Sequence, residues 1–118
     1  MNDLMPACFE AMRTLTRKRD DLKTLAGNAA KRHNRSEEDR LTAKTIGVNS
    51  VLQLLRANAD DVLNNPTEFE PGADRAVLEQ TMDATEVNMI SSDNSDYREG
   101  LRLGLETLRY ELKVEYSG

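Results

Sequence analysis

The chain has 118 residues, of which 38% are hydrophobic and 31% are charged, and its net charge at pH 7 is −5. Its length suits one domain, and we expect residues 1–118 to form a single helical bundle. No stretch approaches the roughly 18 apolar residues of a membrane span, and the N-terminus lacks the pattern of a secretory signal. A single cysteine excludes an internal disulfide and suits a reducing compartment, so we predict a cytoplasmic protein that does not bind membranes.

The charge is unevenly distributed along the chain. Residues 1–44 carry ten Lys and Arg against seven Asp and Glu, whereas residues 45–118 carry six against fourteen. Opposite charges on the two halves favour packing of one half on the other, or head-to-tail association of copies. The acidic balance argues against general nucleic-acid binding, but the basic first half leaves room for a local anion-binding patch.

The first predicted helix begins near Asn2 or Asp3, either of which can accept hydrogen bonds from the first backbone N–H groups. Pro6 is compatible with the first turn, where its missing N–H would have no helical partner. Gly27 and Asn28 are predicted to end the helix or to loosen it. Small and apolar residues, interrupted by one lysine, recur with helical spacing along one stripe. The stripe consists of Cys8, Ala11, Leu15, Lys18, Leu22, Leu25 and Ala29.

The second predicted helix, residues 36–63, has the clearest pattern in the chain. Ser36 suits the N-cap position, and the acidic residues after it favour the positive end of a helix. Its apolar side is wider than a two-stranded coil needs, so we expect contacts with more than one neighbouring helix. The main stripe consists of Leu41, Thr45, Val48, Leu52, Leu55, Ala59 and Val62.

The second half of the chain contains two shorter predicted helices. Residues 66–72 form a Pro- and Gly-containing linker, in which Phe69 is predicted to cover the end of the bundle. The third helix is predicted over residues 73–90 and the fourth over residues 96–114, with a polar turn between them. The sequence therefore predicts an all-α antiparallel bundle of about four helices, whose two long N-terminal helices form a hairpin.

The chain lacks the residue patterns of common enzymes. One histidine and one cysteine are too few for the usual zinc sites, and no glycine-rich phosphate loop is present. Glu79, Asp83 and Glu86 share a helix face, but the second helix lacks the matching acidic pair that helical magnesium-dependent pyrophosphatases use. We therefore predict a protein that is not an enzyme and that uses no metal or other cofactor.

Residues 41–50 resemble the middle of a helix-turn-helix DNA-binding motif. Ala43, Gly47 and Val48 occupy positions that this motif favours. The match then fails, because Gln53 stands where the second helix should bury an apolar residue. The unbroken apolar stripe across Gly47 favours a continuous helix. A DNA-binding transcriptional regulator that uses the basic N-terminal half stays as an alternative, and its affinity would fall steeply with salt.

The best candidate for binding an anionic partner is a set of basic residues in the first half of the chain. It combines four residues between the first two helices with five residues of the first helix, which are Arg13, Arg17, Lys18, Arg19 and Lys23. The segment between the two helices, called the basic connection, consists of Lys31, Arg32, His33 and Arg35. No aromatic residue lies among them, so stacking of nucleic-acid bases is not expected. A nucleotide or another small anionic ligand bound at the basic connection is a further alternative function.

Two glycines on the fourth helix predict a close helix–helix contact. Gly100 and Gly104 lie one turn apart, and the absence of side chains allows another backbone to approach. With Tyr97 and Leu101 they form the glycine face, which is a candidate for self-association as a homodimer. The other interpretation is that the glycine face packs the fourth helix on the second helix within one chain.

The most concrete functional prediction is a non-enzymatic protein-binding regulator, adaptor or inhibitor. An acidic face from the third and fourth helices would cover a basic surface of another protein. The acidic face consists of Glu79, Asp83, Glu86 and Glu106. A small acidic helical chain with few aromatic residues is similar to accessory proteins of bacteria and their phages, including phage inhibitors of host defence. We expect a protein partner and a homo-oligomer, most simply a dimer.

Overall fold

The structure is a computed structural model that describes residues 4–65 and 71–116. Over these residues the chain forms four helices and no strands. They are α1 (Pro6–Lys31), α2 (Arg35–Leu63), α3 (Ala73–Ser91) and α4 (Ser95–Tyr116). The predicted all-α bundle, with two long helices followed by two shorter ones, is confirmed. None of the four described helices combines the length and apolar character needed to cross a bilayer.

Two helical hairpins pack together to form the bundle. Three residues connect α1 to α2, and three connect α3 to α4, so each pair runs antiparallel. Helix α2 contacts all three other helices, most extensively α1 and α4. The prediction that the wide apolar side of the second helix meets more than one neighbour is confirmed. The molecule is elongated, with extents of 52 × 28 × 27 Å.

The beginning of α1 differs from the prediction. The helix starts at Pro6, and Met5 is the N-cap residue but makes no side-chain capping hydrogen bond. The predicted caps Asn2 and Asp3 lie outside the described residues. The carboxylate of Asp74, on α3, accepts the backbone hydrogen bonds that a local cap would accept. The N-terminus of α1 is therefore capped from another helix.

Of the two outcomes predicted at Gly27 and Asn28, an end of the helix is wrong. The helix continues for a further turn to Lys31, and the chain turns at His33, whose φ of 59° lies in the left-handed region. The extra turn buries Ala29 completely against α2. Burial of this apolar surface offsets the cost of a glycine inside a helix, which is about 1 kcal/mol.

Helix α2 begins one residue before the predicted start. Asn34 rather than Ser36 is its N-cap, and Asn34 Oδ1 accepts a hydrogen bond from the Glu37 N–H at 3.2 Å. The helix continues through Gly47 without a turn. The helix-turn-helix interpretation of residues 41–50 is therefore wrong, and the continuous helix that the apolar stripe predicts is present.

The second hairpin agrees with the predicted boundaries to within two residues. Helix α3 ends one residue later than predicted, and α4 begins one residue earlier and ends two residues later. Asn94 caps α4, since its Oδ1 accepts a hydrogen bond from the Tyr97 N–H at 2.9 Å. Residues 66–70, which include the predicted cover Phe69, lie outside the described residues.

The core lies between the two hairpins and consists mainly of leucine, valine and alanine side chains. Five positions of the predicted α2 stripe are buried, and Thr45 and Val62 are half-buried. A smaller apolar cluster lies towards the connected ends of α1 and α2. The backbones of helices α2 and α4 pack closely where Gly47 faces Gly100, because a Cβ on Gly100 would lie 2.9 Å from the Gly47 Cα.

Candidate functional site

The carboxylates of the acidic face are exposed, but three of them pair with arginines of the second hairpin. These ion pairs are Arg75–Glu79 at 2.9 Å, Arg109–Glu86 at 2.9 Å and Arg102–Glu106. Asp83 forms no ion pair with any residue in the described part of the chain. Exposed ion pairs contribute only about 0–1 kcal/mol each, so a partner's cations can replace the arginines. The acidic face is therefore a mixed-charge surface rather than a purely negative one.

Two aliphatic side chains lie exposed beside these carboxylates. The side chain of Val87 is 61% exposed and that of Ile90 is 86% exposed. Residues three, four or seven positions apart share one side of a helix, so Val87 and Ile90 lie on the same side of α3 as Asp83 and Glu86. We call these four residues the α3 outer face. It combines apolar surface with carboxylates and was not predicted as a unit.

The basic connection is exposed at one end of the first hairpin. Lys31 ends α1, Arg35 begins α2, and Arg32 and His33 form the turn between them. Backbone N–H groups of the turn donate to carbonyl oxygens at the end of α1. The structure therefore places the four residues at one exposed turn, and none of them lines any of the three grooves described below.

The glycine face is occupied within the chain. Gly100, Leu101 and Gly104 are buried, and the Tyr97 hydroxyl donates to Ser50 Oγ on α2 at 3.1 Å. A Cβ on Gly104 would lie 2.6 Å from a methyl carbon of Val51, which is also on α2.

This geometry corresponds to packing of α4 on α2, the second interpretation of the glycine pair. The glycine face therefore offers no free surface to a second copy in this fold. Self-association would have to use other surfaces, such as the exposed α4 side chains Tyr110 and Val114.

A buried polar cluster joins α1, α3 and the end of α4. Asp74 is only 3% exposed, and its carboxylate accepts hydrogen bonds from the N–H groups of Ala7 at 3.0 Å and Cys8 at 2.9 Å. The Tyr116 hydroxyl also donates to this carboxylate. Burial, followed by the hydrogen bond and charge of Asp74, raises the pKa of both the Cys8 thiol and the Tyr116 hydroxyl.

A thiol and a phenol are already protonated at neutral pH at their ordinary pKa values, and the upward pKa shifts of Cys8 and Tyr116 act in the same direction. A buried, protonated thiol is a poor nucleophile, so Cys8 has a structural role. The cluster holds three helices together. Cys8 and Asp74 are buried, whereas Tyr116 is half-buried and lines an open groove between α3 and α4. Sequence patterns gave no indication of it, because Asp74 resembles an ordinary acidic residue in the first turn of its own helix.

Helices α1 and α4 also meet through polar groups. Lys18 Nζ donates to Thr107 Oγ1 at 2.6 Å, so the lysine that interrupts the predicted stripe bonds across the helix pair. Glu111 is 7% exposed, and its pKa is raised by burial and by the nearby carboxylates of Glu10 and Glu115. No group of three or more His, Cys, Asp or Glu residues in the described part of the chain has the arrangement of a metal site.

The described surface includes three open grooves. One lies between the end of α2 and the start of α3 and is about 460 Å³. A second, of about 210 Å³, lies between α3 and α4 and includes Arg75 and Arg109, which are both paired with glutamates. The third, of about 310 Å³, lies between α1 and α2 and is called the α1–α2 groove. Its lining residues are Arg19, Lys23, Thr45, Ile46 and Asn49.

Comparisons of this chain with protein-family models, with curated proteins and with solved structures find no match.

Proposed function

We propose that the protein is a non-enzymatic regulator, adaptor or inhibitor that binds another protein through the α3 outer face. The observation that supports this proposal is that Ile90 is 86% exposed and lies on the same side of α3 as Asp83 and Glu86. An aliphatic side chain at such a position gains nothing from folding, but its burial in a complex contributes about 1.5–3 kcal/mol. Val87, one turn earlier, adds a second apolar contact.

The carboxylates beside these aliphatic side chains define the partner's chemistry. Asp83 has no described ion-pair partner, and Glu86 is held only by the exposed Arg109. A protein surface with an apolar depression and surrounding Lys or Arg residues would complement this arrangement. Binding would cover that basic surface and block its other uses. The mode of action we propose is inhibition, in which the protein occludes the basic surface of its partner. An accessory protein of a bacterium or phage could act in this way.

The first experiment identifies the partner. Tagged protein is incubated with bacterial lysate, with and without nuclease, and the captured proteins are identified by mass spectrometry. We expect a stoichiometric protein partner that survives nuclease. Recovery of nucleic acid, with every protein lost after digestion, would contradict the proposal and favour the DNA-binding alternative.

The second experiment tests the surface with the purified partner. Ile90→Ser is expected to weaken binding at least about tenfold, because it removes roughly 1.4 kcal/mol or more of apolar burial in the complex. Asp83→Lys should lower the association rate through charge repulsion. Leu25→Ser is the matched control, since Leu25 is an exposed aliphatic residue on α1. If Ile90→Ser and Asp83→Lys both bind within twofold of the unmodified protein, the α3 outer face is not the interface.

A further inference from the structure

The α1–α2 groove has a chemical character of its own. It is an open depression of about 310 Å³ between the two long helices, and its lining combines Arg19 and Lys23 of α1 with residues of α2. Arg19 and Lys23 are four residues apart, so their side chains project from the same side of α1. None of its lining residues carries a carboxylate.

The guanidinium of Arg19 is fixed in position. One terminal nitrogen donates to Asn49 Oδ1 at 3.0 Å, and Nε donates to Asp20 Oδ1 at 3.1 Å. The arginine side chain is 25% exposed, whereas that of Asp20 is 57% exposed. Because the arginine is already ordered across the helix pair, a ligand would lose less free energy in immobilising it. The arginine is therefore prearranged for a ligand in a way that a freely solvated surface cation is not.

Several hydrogen-bond donors in the groove remain for a ligand. A guanidinium has five N–H groups, and the two described bonds of Arg19 use two of them. The Asn49 oxygen accepts from Arg19 and from Gln53, so its amide N–H groups can still donate. The Lys23 ammonium makes no bond with any residue in the described ranges. Two cations and an amide that present N–H donors are the groups that bind phosphate oxygens.

Ile46 adds an apolar surface beside these donors. Its side chain is 54% exposed at the edge of the groove. The groove volume lies at the lower end of the roughly 300–1,000 Å³ typical of small-molecule sites and exceeds what a phosphate ion alone would fill. The groove therefore suits a small molecule that has both a phosphate group and an organic part.

We propose that the α1–α2 groove binds a small organic phosphate, with the phosphate held by Arg19, Lys23 and Asn49 and the organic part against Ile46. This site lies one or more helical turns away from the basic connection and does not use its side chains. A nucleotide and a sugar phosphate share the required chemistry, and binding measurements distinguish them. The proposal does not depend on the protein-binding function of the α3 outer face.

The test is isothermal titration calorimetry on the full chain at low ionic strength. The probes are adenosine monophosphate, ribose 5-phosphate and inorganic phosphate, with adenosine as the uncharged control. We expect saturable one-to-one binding of an organic phosphate, at least about tenfold tighter than that of adenosine. Tighter binding of adenosine monophosphate than of ribose 5-phosphate would identify a nucleotide, and equal or weaker binding would identify a sugar phosphate.

Two variants locate the site. Lys23→Gln removes one exposed cation and should weaken binding about tenfold, and Asn49→Ala should weaken it about fivefold. Lys31→Gln removes the same charge from the basic connection and is the matched control, which should leave the affinity within twofold. The absence of saturable binding up to about 10 mM, a weak-affinity limit, would overturn the proposal. A larger loss with Lys31→Gln than with Lys23→Gln would also overturn it.

Discussion

Asp74 offers a direct test of how the bundle is held together. The residue lies in the first turn of α3, but its buried carboxylate accepts the N–H groups of Ala7 and Cys8 in the first turn of α1. It also accepts the Tyr116 hydroxyl from the end of α4. Since Met5 provides no side-chain cap, α1 has no other described side-chain acceptor for these N–H groups. Replacing Asp74 by alanine should therefore destabilise three helices together.

The magnitude follows from two contributions. Loss of an N-cap acceptor costs about 0.5–2 kcal/mol. Leaving a buried N–H without a partner costs about 1–3 kcal/mol, and part of this overlaps with the first contribution. We expect Asp74→Ala to lower the free energy of unfolding by about 3 kcal/mol. For a chain of 118 residues, with roughly 2.1 cal/mol/K of unfolding entropy per residue, this lowers Tm by about 12 °C.

Urea unfolding followed by far-ultraviolet circular dichroism measures this loss, provided that the slope m is unchanged. Asp83→Ala is the matched control, because Asp83 is an exposed aspartate of the same helix with no described partner. It should change stability by less than about 0.5 kcal/mol. Asp74→Asn keeps one acceptor oxygen and should give an intermediate loss. If Asp74→Ala lies within about 1 kcal/mol of the unmodified protein, the tertiary cap does not stabilise the fold as argued.

Two further predictions concern packing and pH. Gly100→Ala should lower the free energy of unfolding by about 3 kcal/mol, because the new methyl overlaps α2. Gly27→Ala should raise it by about 0.5–1 kcal/mol, because the new methyl meets no atom of another element within 4 Å. Thermal unfolding compares the two variants, and equal effects would contradict the close contact between α2 and α4. The raised pKa of Glu111, caused by burial and by Glu10 and Glu115, means that its stabilising contribution is present below its ordinary pKa of 4.5 and is lost as pH rises through the folded value. Glu111→Gln should therefore become more stable relative to the unmodified protein as pH rises above 4.5, in urea unfolding at a series of pH values. A relative stability of Glu111→Gln that falls as pH rises would refute this.

Helical periodicity predicted the elements well because most of the helix-forming information is local. The stripe of α2 predicted both its continuity through Gly47 and the burial of Leu52 and Leu55. Helix ends were harder to predict. Gly27 and Asn28 have the composition of a helix end, but contacts with α2 extend α1 beyond them.

Long-range contacts explain what the sequence could not show about candidate surfaces. The pairing of Arg75 with Glu79 follows from a spacing of four residues, so sequence alone could have indicated it. The pairing of Arg109 with Glu86 joins two helices and depends on their relative position. The same is true of Arg19, which lies against Asn49 only because α1 and α2 are aligned in this register.

The two proposed surfaces provide controls for each other. The α3 outer face and the α1–α2 groove lie on different hairpins and share no residue. Because distant exposed substitutions act independently, Lys23→Gln should leave the affinity for the protein partner within twofold. Ile90→Ser should likewise leave the affinity for an organic phosphate within twofold. If Lys23→Gln instead weakens the protein complex about tenfold while Ile90→Ser does not, the partner binds the first hairpin, and cations rather than aliphatic side chains determine recognition.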